Sequence, residues 1–293
     1  MKLDLTNSIP DSSFMREAEV DFSTSRNVIK HAIISGTLLL IALPVIYALV
    51  VSTQSPEQVY EISYFLPGNQ LIENYSYVLF EFGMSSYIIN SLLMSLIIVA
   101  GKVSISLLAA LVLVYFSFPL RKTVFLLILG TLMLPISVRI VPLFITMVEL
   151  NWVDSMWSLT VPYLASATAV FLFYQKFRSI PEQLVEIAKL RGIGPIRFLL
   201  YVLIPMSKGM IAGVCVIMFI FSWNQYLWPS IIIESESQQV VQTGLQIIKN
   251  TSQTGQFIRW DRLMSASMLA LLPPLVLLIV ARDQLIQTFG VDQ

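Results

Sequence analysis

Six long apolar stretches dominate the sequence and restrict what the chain can fold into. A bilayer core about 30 Å thick needs roughly 20 helical residues per crossing, and each stretch reaches that length. Only 12% of the residues are charged, about half the share found in soluble domains, so a soluble fold would leave its apolar surface uncovered. The chain is therefore predicted to be an all-α, polytopic membrane protein. Its six transmembrane helices are expected at residues 32–51, 87–114, 124–148, 156–174, 210–232 and 263–281.

Charge and reactive side chains exclude several other classes. Lys and Arg together number 18, as do Asp and Glu, so the chain exerts no net pull on nucleic acid. The single cysteine, Cys215, and the single histidine, His31, leave too little material for a disulfide, a metal site or a His-based catalytic group. The Gly101-Lys102 pair lacks the upstream glycine of a P-loop. We therefore expect no enzyme activity, cofactor or metal in this chain.

A self-sufficient secondary carrier or channel is the alternative of a different class. Proton- or sodium-coupled carriers usually hold carboxylates at membrane depth, and the six stretches contain no Asp or Glu. The two halves of the chain also show no internal repeat. Polar backbone groups can bind sodium as well, so this alternative stays open at this point.

Loop charges predict the orientation. Residues 52–86 and the turn after the third stretch carry acids but no Lys or Arg, whereas the loops after the second and fourth stretches are basic. The positive-inside rule places basic loops in the cytoplasm, and both termini then lie there too. No signal-peptide pattern precedes the first stretch, so residues 1–31 are expected to be a cytoplasmic segment before a six-span domain at 32–293. The loop at 233–262 is expected outside although it carries three basic residues.

The stretch 175–207, between the fourth and fifth spans, has too much helical pattern for a simple linker. Ser179-Ile-Pro-Glu182 matches a capping box, which predicts a helix starting there. One face of that helix is expected to be apolar and another charged. The apolar face would carry Leu184, Ile187 and Ala188, and the charged face Glu182, Glu186 and Lys189.

The same stretch is expected to contain a second helix. Gly192-Ile-Gly194-Pro195 should end the first helix, and a shorter one over 196–203 should stop at Ile204-Pro205. An amphipathic hairpin lying on the membrane surface is one interpretation. The other is a rigid helical projection that binds a cytoplasmic partner. Ordering two helices costs conformational entropy, and a simple connection between spans would not need them, so this second interpretation is favoured.

A family resemblance is specific in this stretch. Glu186-Ile-Ala188, Gly192 six residues after the glutamate, and Val202-Leu-Ile204-Pro205 resemble the EAA loop of binding-protein-dependent ABC importer permeases. Isoleucines replace an alanine and the leucine of that signature, and these swaps are close in character. Arg191 stands where an aspartate often precedes the glycine, which reverses a charge.

The resemblance extends over nearly the whole chain. Three features are similar to the maltose-type subfamily: the six-span order, the Asn90-Ser91 opening of the second span, and Trp223-Asn-Gln-Tyr-Leu-Trp-Pro229 at the end of the fifth. The sequence most resembles the second permease subunit of glycerol-3-phosphate importers. The motifs that carry this likeness are Phe118-Pro-Leu-Arg121, Thr131-Leu-Met-Leu-Pro135, Val138-Arg-Ile140 with Pro142, and Ala165-Ser-Ala-Thr-Ala169.

The resemblance implies a fold, partners and a mechanism. It implies a type I ABC transmembrane domain in a prokaryotic inner membrane, as a non-catalytic half of a pathway shared with a second, homologous permease. A cytoplasmic ABC ATPase dimer would hold ATP and Mg²⁺, and an extracytoplasmic solute-binding protein would deliver substrate. We call 175–207 the coupling loop and 233–262 the external loop; the latter would reach toward the binding protein. The residues implied in coupling to the ATPase are Glu186, Ile187, Ala188, Gly192 and Pro205.

Candidate pathway residues lie in the third span. Arg139 is flanked by Pro135 and Pro142, and a charge at that depth costs about 3 kcal/mol unless it meets water or an anion. The helix could break there and let Arg139 snorkel or bind a backbone carbonyl. Alternatively the guanidinium lies along the route of a phosphate, which arginine binds by charge-assisted bonds. Lys102 is the second cation within a span, and a snorkelling or interfacial role is expected for it.

The outer end of the fifth span holds further candidates. Asn224, Gln225, Tyr226 and Trp228 cluster there, either as an interfacial aromatic belt or as a polar and aromatic lining for a hydroxylated solute. The expected solute is glycerol-3-phosphate or a related glycerophosphodiester. A monosaccharide or oligosaccharide is the alternative within the same subfamily.

Overall fold

The structure is a computed structural model in which helices make up nearly all regular elements. It describes residues 12–61, 65–251, 253–254 and 257–289. The helices are α1 (Ser12–Val51), α2 (Pro56–Tyr60), α3 (Leu71–Ser76), α4 (Met84–Tyr115), α5 (Arg121–Gly130), α6 (Ile136–Glu149), α7 (Met156–Thr160), α8 (Ala167–Arg178), α9 (Glu182–Leu190), α10 (Pro195–Phe198), α11 (Ile204–Met206), α12 (Lys208–Trp223), α13 (Pro229–Ile232), α14 (Val241–Thr251) and α15 (Trp260–Phe289).

Shorter elements connect these helices. The external loop contains the one β pairing of the described residues, an antiparallel pair of two-residue strands. They are β1 (Gln253–Thr254) and β2 (Phe257–Ile258). Single π-helical turns cover Tyr77–Glu81 and Leu199–Leu203, and 3₁₀ turns cover Thr131–Met133, Val161–Tyr163 and Glu236–Gln238.

Six spans fit the apolar helices. Three are single helices of sufficient length: Asn27–Val51 within α1, all of α4, and Trp260–Gln284 within α15. The other three are bent pairs. They are formed by α5 with α6, by α7 with α8, and by the second helical segment of the coupling loop (Pro195–Met206) with α12. The bends measure 100°, 41° and 84° in that order. The fold class predicted from the sequence is thus confirmed, but half of the spans are broken rather than straight.

The sharpest bend interrupts the third span. The predicted continuous helix over 124–148 is wrong, because Leu134 is extended and Pro135 precedes the first turn of α6. A residue before proline is disfavoured in the helical region, since the proline ring clashes with its backbone. The chain therefore leaves one helix and starts another in the middle of the span.

The fifth span also differs from its prediction. The sequence predicts a single helix over 210–232, but α12 ends at Trp223, and α13 is a separate turn that starts at Pro229. Proline is well accommodated in the first turn of a helix, where its missing N–H has no partner to lose. The fifth span is therefore not a single helix, and residues 224–228 connect its two helical parts.

Helix α4 lies at the centre of the packing. It packs against α8 on one side and α12 on another, and α12 packs in turn against α15. One apolar cluster joins α4, α8, α12 and the coupling loop, and a second joins α4, α12, α14 and α15. The apolar segment of α1 contacts α15 but is almost wholly exposed, as expected of a surface that meets lipid or a second subunit.

Candidate coupling site and solute pathway

The first coupling-loop helix, α9, ends in a Schellman motif. The N–H of Ile193 donates to the Ala188 carbonyl at 2.9 Å, and the N–H of Gly192 donates to the Lys189 carbonyl at 3.0 Å. Gly192 has φ +66°, a conformation that glycine adopts without the Cβ penalty of other residues. The glycine of the EAA-like pattern therefore sets the turn after α9.

The start of α9 differs from its prediction. The expected capping box is wrong, since Pro181 precedes the helix and no side chain caps it. Ser179 instead ends α8, where its hydroxyl donates to the Lys176 carbonyl at 2.8 Å. A serine hydroxyl after a helix can donate to the preceding carbonyls as readily as it accepts from the following amides. Here it donates to a carbonyl of α8 and is not available to cap α9.

The apolar face of α9 is also shifted. Leu184, Val185 and Ala188 pack against the bundle, whereas Ile187 is 46% exposed. The expected stripe is therefore wrong for Ile187, because Val185 takes that place against the core. Leu190, at the end of the helix, is 88% exposed, so α9 shows two large apolar side chains on its outer surface.

The second coupling-loop helix is longer than predicted. It comprises α10, the π-helical turn and α11, and so runs from Pro195 to Met206. It continues past Pro205, where the sequence predicts that the helix stops. The π-helical turn at Leu199–Leu203 precedes that proline. Local π geometry accommodates a residue that lacks the backbone donor of a regular helix. The chain then turns at Ser207 into α12.

A groove of about 760 Å³ separates α9 from the ends of α4, α5 and α8. The charged face predicted for α9 lines it, and basic residues from α5 and α8 line the opposite side. Among the described residues the ion pairs are Arg259–Asp261 and Arg282–Asp283, neither of which is in this groove. The charged residues of the groove are Glu182, Glu186, Lys189, Arg121, Lys122 and Arg178.

Arg139 lies in the first turn of α6, directly after the break in the third span. It is exposed, and with Tyr163 it lines a small cavity of about 100 Å³. The described residues show no ion pair or hydrogen bond for its guanidinium. The break at Pro135 thus leaves an unpaired cation on the surface of the bundle at the middle of a span.

The candidates at the end of the fifth span fall into three environments. Trp228 is 2% exposed, and its indole N–H donates to the Ser158 carbonyl at 2.8 Å. Asn224 and Tyr226 are exposed, and Gln242 donates to the Asn224 amide oxygen at 3.2 Å. Both polar atoms of the Gln225 amide are buried without a hydrogen-bond partner among the described residues. Asn224 and Tyr226 therefore expose polar side chains, the Gln225 amide is buried and unsatisfied, and Trp228 packs inside.

The external loop is bonded to the bundle by polar residues at the starts of spans. The Asn90 amide donates to the Ser237 and Gln239 carbonyls at 2.8 and 2.9 Å. The Ser91 hydroxyl accepts the N–H of Val241 at 2.8 Å. The Asn90-Ser91 pair recognised in the sequence therefore anchors the loop that precedes α14.

A carboxylate makes a further attachment of the external loop. Asp154 Oδ1 accepts hydrogen bonds from the backbone N–H groups of Glu234 and Ser235, at 3.1 and 3.0 Å, and from the Ser235 hydroxyl at 2.9 Å. The bond from the Ser235 backbone is the main reason that the pKa of Asp154 lies below its ordinary value, with the Ser235 hydroxyl and the Glu234 N–H adding to it. The turn after the third span thus holds the external loop.

These helices and their apolar surfaces define an all-α, multi-pass membrane protein. A family model described as "Binding-protein-dependent transport system inner membrane component" matches residues 102–289. The chain therefore belongs to this family of inner-membrane importer permeases. The match begins at Lys102 and covers every later element, including the coupling loop and the external loop.

Individual relatives are similar over most of their length. The chain is 38% identical to the "sn-glycerol-3-phosphate transport system permease protein UgpE" of Yersinia pestis bv. Antiqua (strain Antiqua), over 85% of this chain and 91% of the relative. It is 36% identical to the protein of the same name from Brucella melitensis biotype 1, over 87% and 92%.

Solved structures show the same fold. A chain in the crystal structure of a bacterial ABC transporter involved in the import of the acidic polysaccharide alginate superposes with TM-score 0.78 at 18% identity, over 89% of this chain and 96% of that one. A chain of a bacterial alginate ABC transporter in complex with an alginate pentasaccharide-bound periplasmic protein superposes with TM-score 0.55 at 14% identity, over 92% and 97%. At these identities the likeness concerns the fold alone.

Proposed function

We propose that this chain forms half of the membrane pathway of an ATP-driven importer for glycerol-3-phosphate. The observation that carries the proposal is identity of 36–38%, over 85–87% of the chain, to permeases named for sn-glycerol-3-phosphate transport. The other half of the pathway would be a second, homologous permease. An extracytoplasmic solute-binding protein would deliver the substrate.

Energy would come from a partner. A cytoplasmic ABC ATPase dimer would hold ATP and Mg²⁺, and this chain would be a non-catalytic subunit without a cofactor of its own. The coupling loop is the part of the chain suited to dock there. Ile187 and Leu190 expose apolar surface, Glu186 is exposed beside them, and the Schellman turn at Gly192 fixes the end of α9. A charged and apolar helix of fixed geometry can transmit a rigid-body movement to the spans joined to it.

The proposed orientation follows the loop charges. The coupling loop would be cytoplasmic, as would both termini, and the external loop would face the binding protein. The hydrogen bonds of Asn90 and Asp154 hold the external loop on the bundle, which supports its use as a defined contact surface.

An anionic solute needs cationic groups on its route. Arg139 is exposed at the break of the third span without an acidic partner among the described residues, and guanidinium binds phosphate by charge-assisted bonds. Asn224 and Tyr226 expose hydrogen-bonding groups that could meet solute hydroxyls. The buried, unsatisfied amide of Gln225 would join them if transport uncovers it. Trp228 would act by packing behind them.

Reconstitution tests the proposal. The chain, its partner permease, the ATPase and the binding protein are placed in liposomes, and ATP-driven uptake of labelled glycerol-3-phosphate is measured. We expect uptake that unlabelled glycerol-3-phosphate suppresses and that neutral sugars do not. If glycerophosphodiesters alone, or monosaccharides or oligosaccharides, suppress the uptake, that solute class would be the substrate instead of glycerol-3-phosphate. Uptake by this chain without an ATPase would make it a carrier or channel.

The coupling role has a separate test. Glu186→Lys is expected to lose the ATPase on co-purification while the two permeases stay together. Glu182→Lys is the matched control, because it reverses the same charge one helical turn earlier on the same groove. Equal retention of the ATPase by both variants would contradict the assignment of Glu186.

A further inference from the structure

A lysine side chain is buried near the middle of α4. Lys102 is 4% exposed, and the described residues provide no ion pair or hydrogen bond for its ammonium. The sequence predicts a snorkelling or interfacial lysine, whereas in the structure the side chain packs between α4 and α12. Moving an ammonium out of water is costly unless it meets an opposite charge, and intramembrane cations usually mark an ion or solute route for that reason.

An aromatic ring covers this ammonium. The Lys102 Nζ lies 4.7 Å from the centroid of the Phe221 ring on α12. A cation over an aromatic face is held by the ring quadrupole, which offsets part of the cost of burial. Phe221 itself is 48% exposed, so the ring that contacts the ammonium also reaches the outer surface of α12.

The covering residue lies beside an exposed candidate pathway residue. Phe221 precedes Asn224, the C-cap of α12, by three residues, a spacing that brings these two exposed side chains to one side of the helix end. Their backbone positions are thus about one helical turn apart. A surface that faced only lipid would not combine an exposed asparagine with an unsatisfied amide.

We infer that Lys102 is an anion-binding group of the solute pathway and that Phe221 covers it in this conformation. The inference rests on the proposed function, because the anion it assigns is the phosphate group of the transported solute. Rotation of the Phe221 ring during transport exposes the ammonium. The phosphate then takes the place of the ring, while the hydroxyls of the solute lie toward Asn224 and Gln225.

Charge rescue at position 102 tests the inference. In the complete reconstituted transporter, Cys215→Ala removes the only cysteine of this chain, and Lys102→Cys is added. Uptake of labelled glycerol-3-phosphate is expected to fall about tenfold or more, as for the loss of one charge-assisted bond. Aminoethyl methanethiosulfonate, which restores a cationic side chain, is expected to recover uptake. Methyl methanethiosulfonate, which adds a neutral group, is not.

The cover is tested with the same variant. Modification of the thiol introduced by Lys102→Cys is expected to be faster during ATP-driven turnover than at rest, and fast in both conditions when Phe221→Ala is added. The charge-rescue experiment has a matched control, Lys30→Cys in the Cys215→Ala background, because Lys30 is an exposed lysine of α1. This variant should take up glycerol-3-phosphate at the parent rate before and after treatment with either reagent.

The outcomes separate the two proposals. Normal uptake by Lys102→Cys, or equal rescue by the neutral and cationic reagents, would overturn the role of Lys102 and leave the proposed substrate intact. No uptake of glycerol-3-phosphate by the parent complex, with uptake of a neutral sugar, would overturn both. Equal modification at rest and in turnover would overturn the cover by Phe221.

Discussion

The indole nitrogen of Trp228 donates a hydrogen bond to the carbonyl oxygen of Ser158 at 2.8 Å. Four residues after that serine stands Pro162, which has no N–H, so the carbonyl lacks its regular helical donor. Trp223 repeats the arrangement by donating to the Ala270 carbonyl at 3.1 Å, ahead of Pro273 and Pro274. Both tryptophans therefore satisfy acceptors that prolines have orphaned in neighbouring spans, where no water can do so.

Replacing Trp228 by phenylalanine is expected to destabilise the protein. The ring still fills much of the site, but the Ser158 carbonyl stays buried without a donor, which costs about 1–3 kcal/mol. The measurement is thermal unfolding of the detergent-solubilised permease pair. Trp157→Phe is the control, because Trp157 is 63% exposed and should change the midpoint little. Equal shifts for the two variants would contradict this role of the indole.

Asp154→Asn is expected to loosen the external loop. The carboxylate oxygen accepts three hydrogen bonds from Glu234 and Ser235, and a neutral amide oxygen accepts them more weakly. Amide exchange at 234 and 235 should accelerate about threefold to tenfold, measured by hydrogen–deuterium exchange mass spectrometry. Glu149→Gln removes a nearby exposed carboxylate and should leave that exchange unchanged.

The pH dependence of the same contact has a definite direction. Hydrogen bonds from Ser235 and Glu234 lower the pKa of Asp154 below its ordinary value of 3.8. A lowered pKa in the folded state stabilises the fold above the ordinary value, and this contribution is lost only as pH falls through the lowered pKa. Asp154 therefore stays ionised between about pH 5 and 8, and its titration should not alter the protection of the amides at 234 and 235 in that range. A loss of that protection with a midpoint near pH 6 would contradict the role of Asp154.

The sequence predicts the number of spans but not their shapes. Stretch length and the scarcity of charge are local properties, so six spans could be counted from them. The Leu134-Pro135 pair marks a break by the same local logic. The size of the bend, and the contacts of Trp223 and Trp228 with carbonyls 47 and 70 residues away, depend on how helices pack. The only local clue to those contacts is a proline three or four residues after each carbonyl.

Site residues follow the same division. The turn at Gly192 is local and predictable, because a glycine after a helix favours a left-handed cap. The capping box at Ser179 fails because two helix ends compete for one hydroxyl. The position of Lys102 could not be predicted, because its burial depends on how α4 is rotated against α12. Arg139 is recognisable from its prolines, but whether it meets solute stays a prediction.

Arg139→Gln is expected to reduce uptake of glycerol-3-phosphate. Glutamine keeps hydrogen-bonding capacity but removes the charge that binds a phosphate, and a loss of about tenfold or more corresponds to one charge-assisted bond. Initial uptake rates in the reconstituted transporter give the measurement. Arg282→Gln, at an exposed ion pair near the end of α15, serves as the control. Unchanged transport by Arg139→Gln would remove this residue from the pathway.

Gly192→Ala is expected to weaken coupling between the ATPase and the spans. The φ of +66° at Gly192 is costly for any residue with a Cβ, by about 1–2 kcal/mol, although the space around it is open. The strain should fray the end of α9 and displace the exposed Leu190. Gly194→Ala provides a matched control two residues away, since that position has a negative φ and equally open space. In the reconstituted transporter, the ratio of solute imported to ATP hydrolysed should fall for Gly192→Ala and stay near the parent value for Gly194→Ala. If both variants keep the parent ratio, the turn after α9 is not required for transmitting the movement.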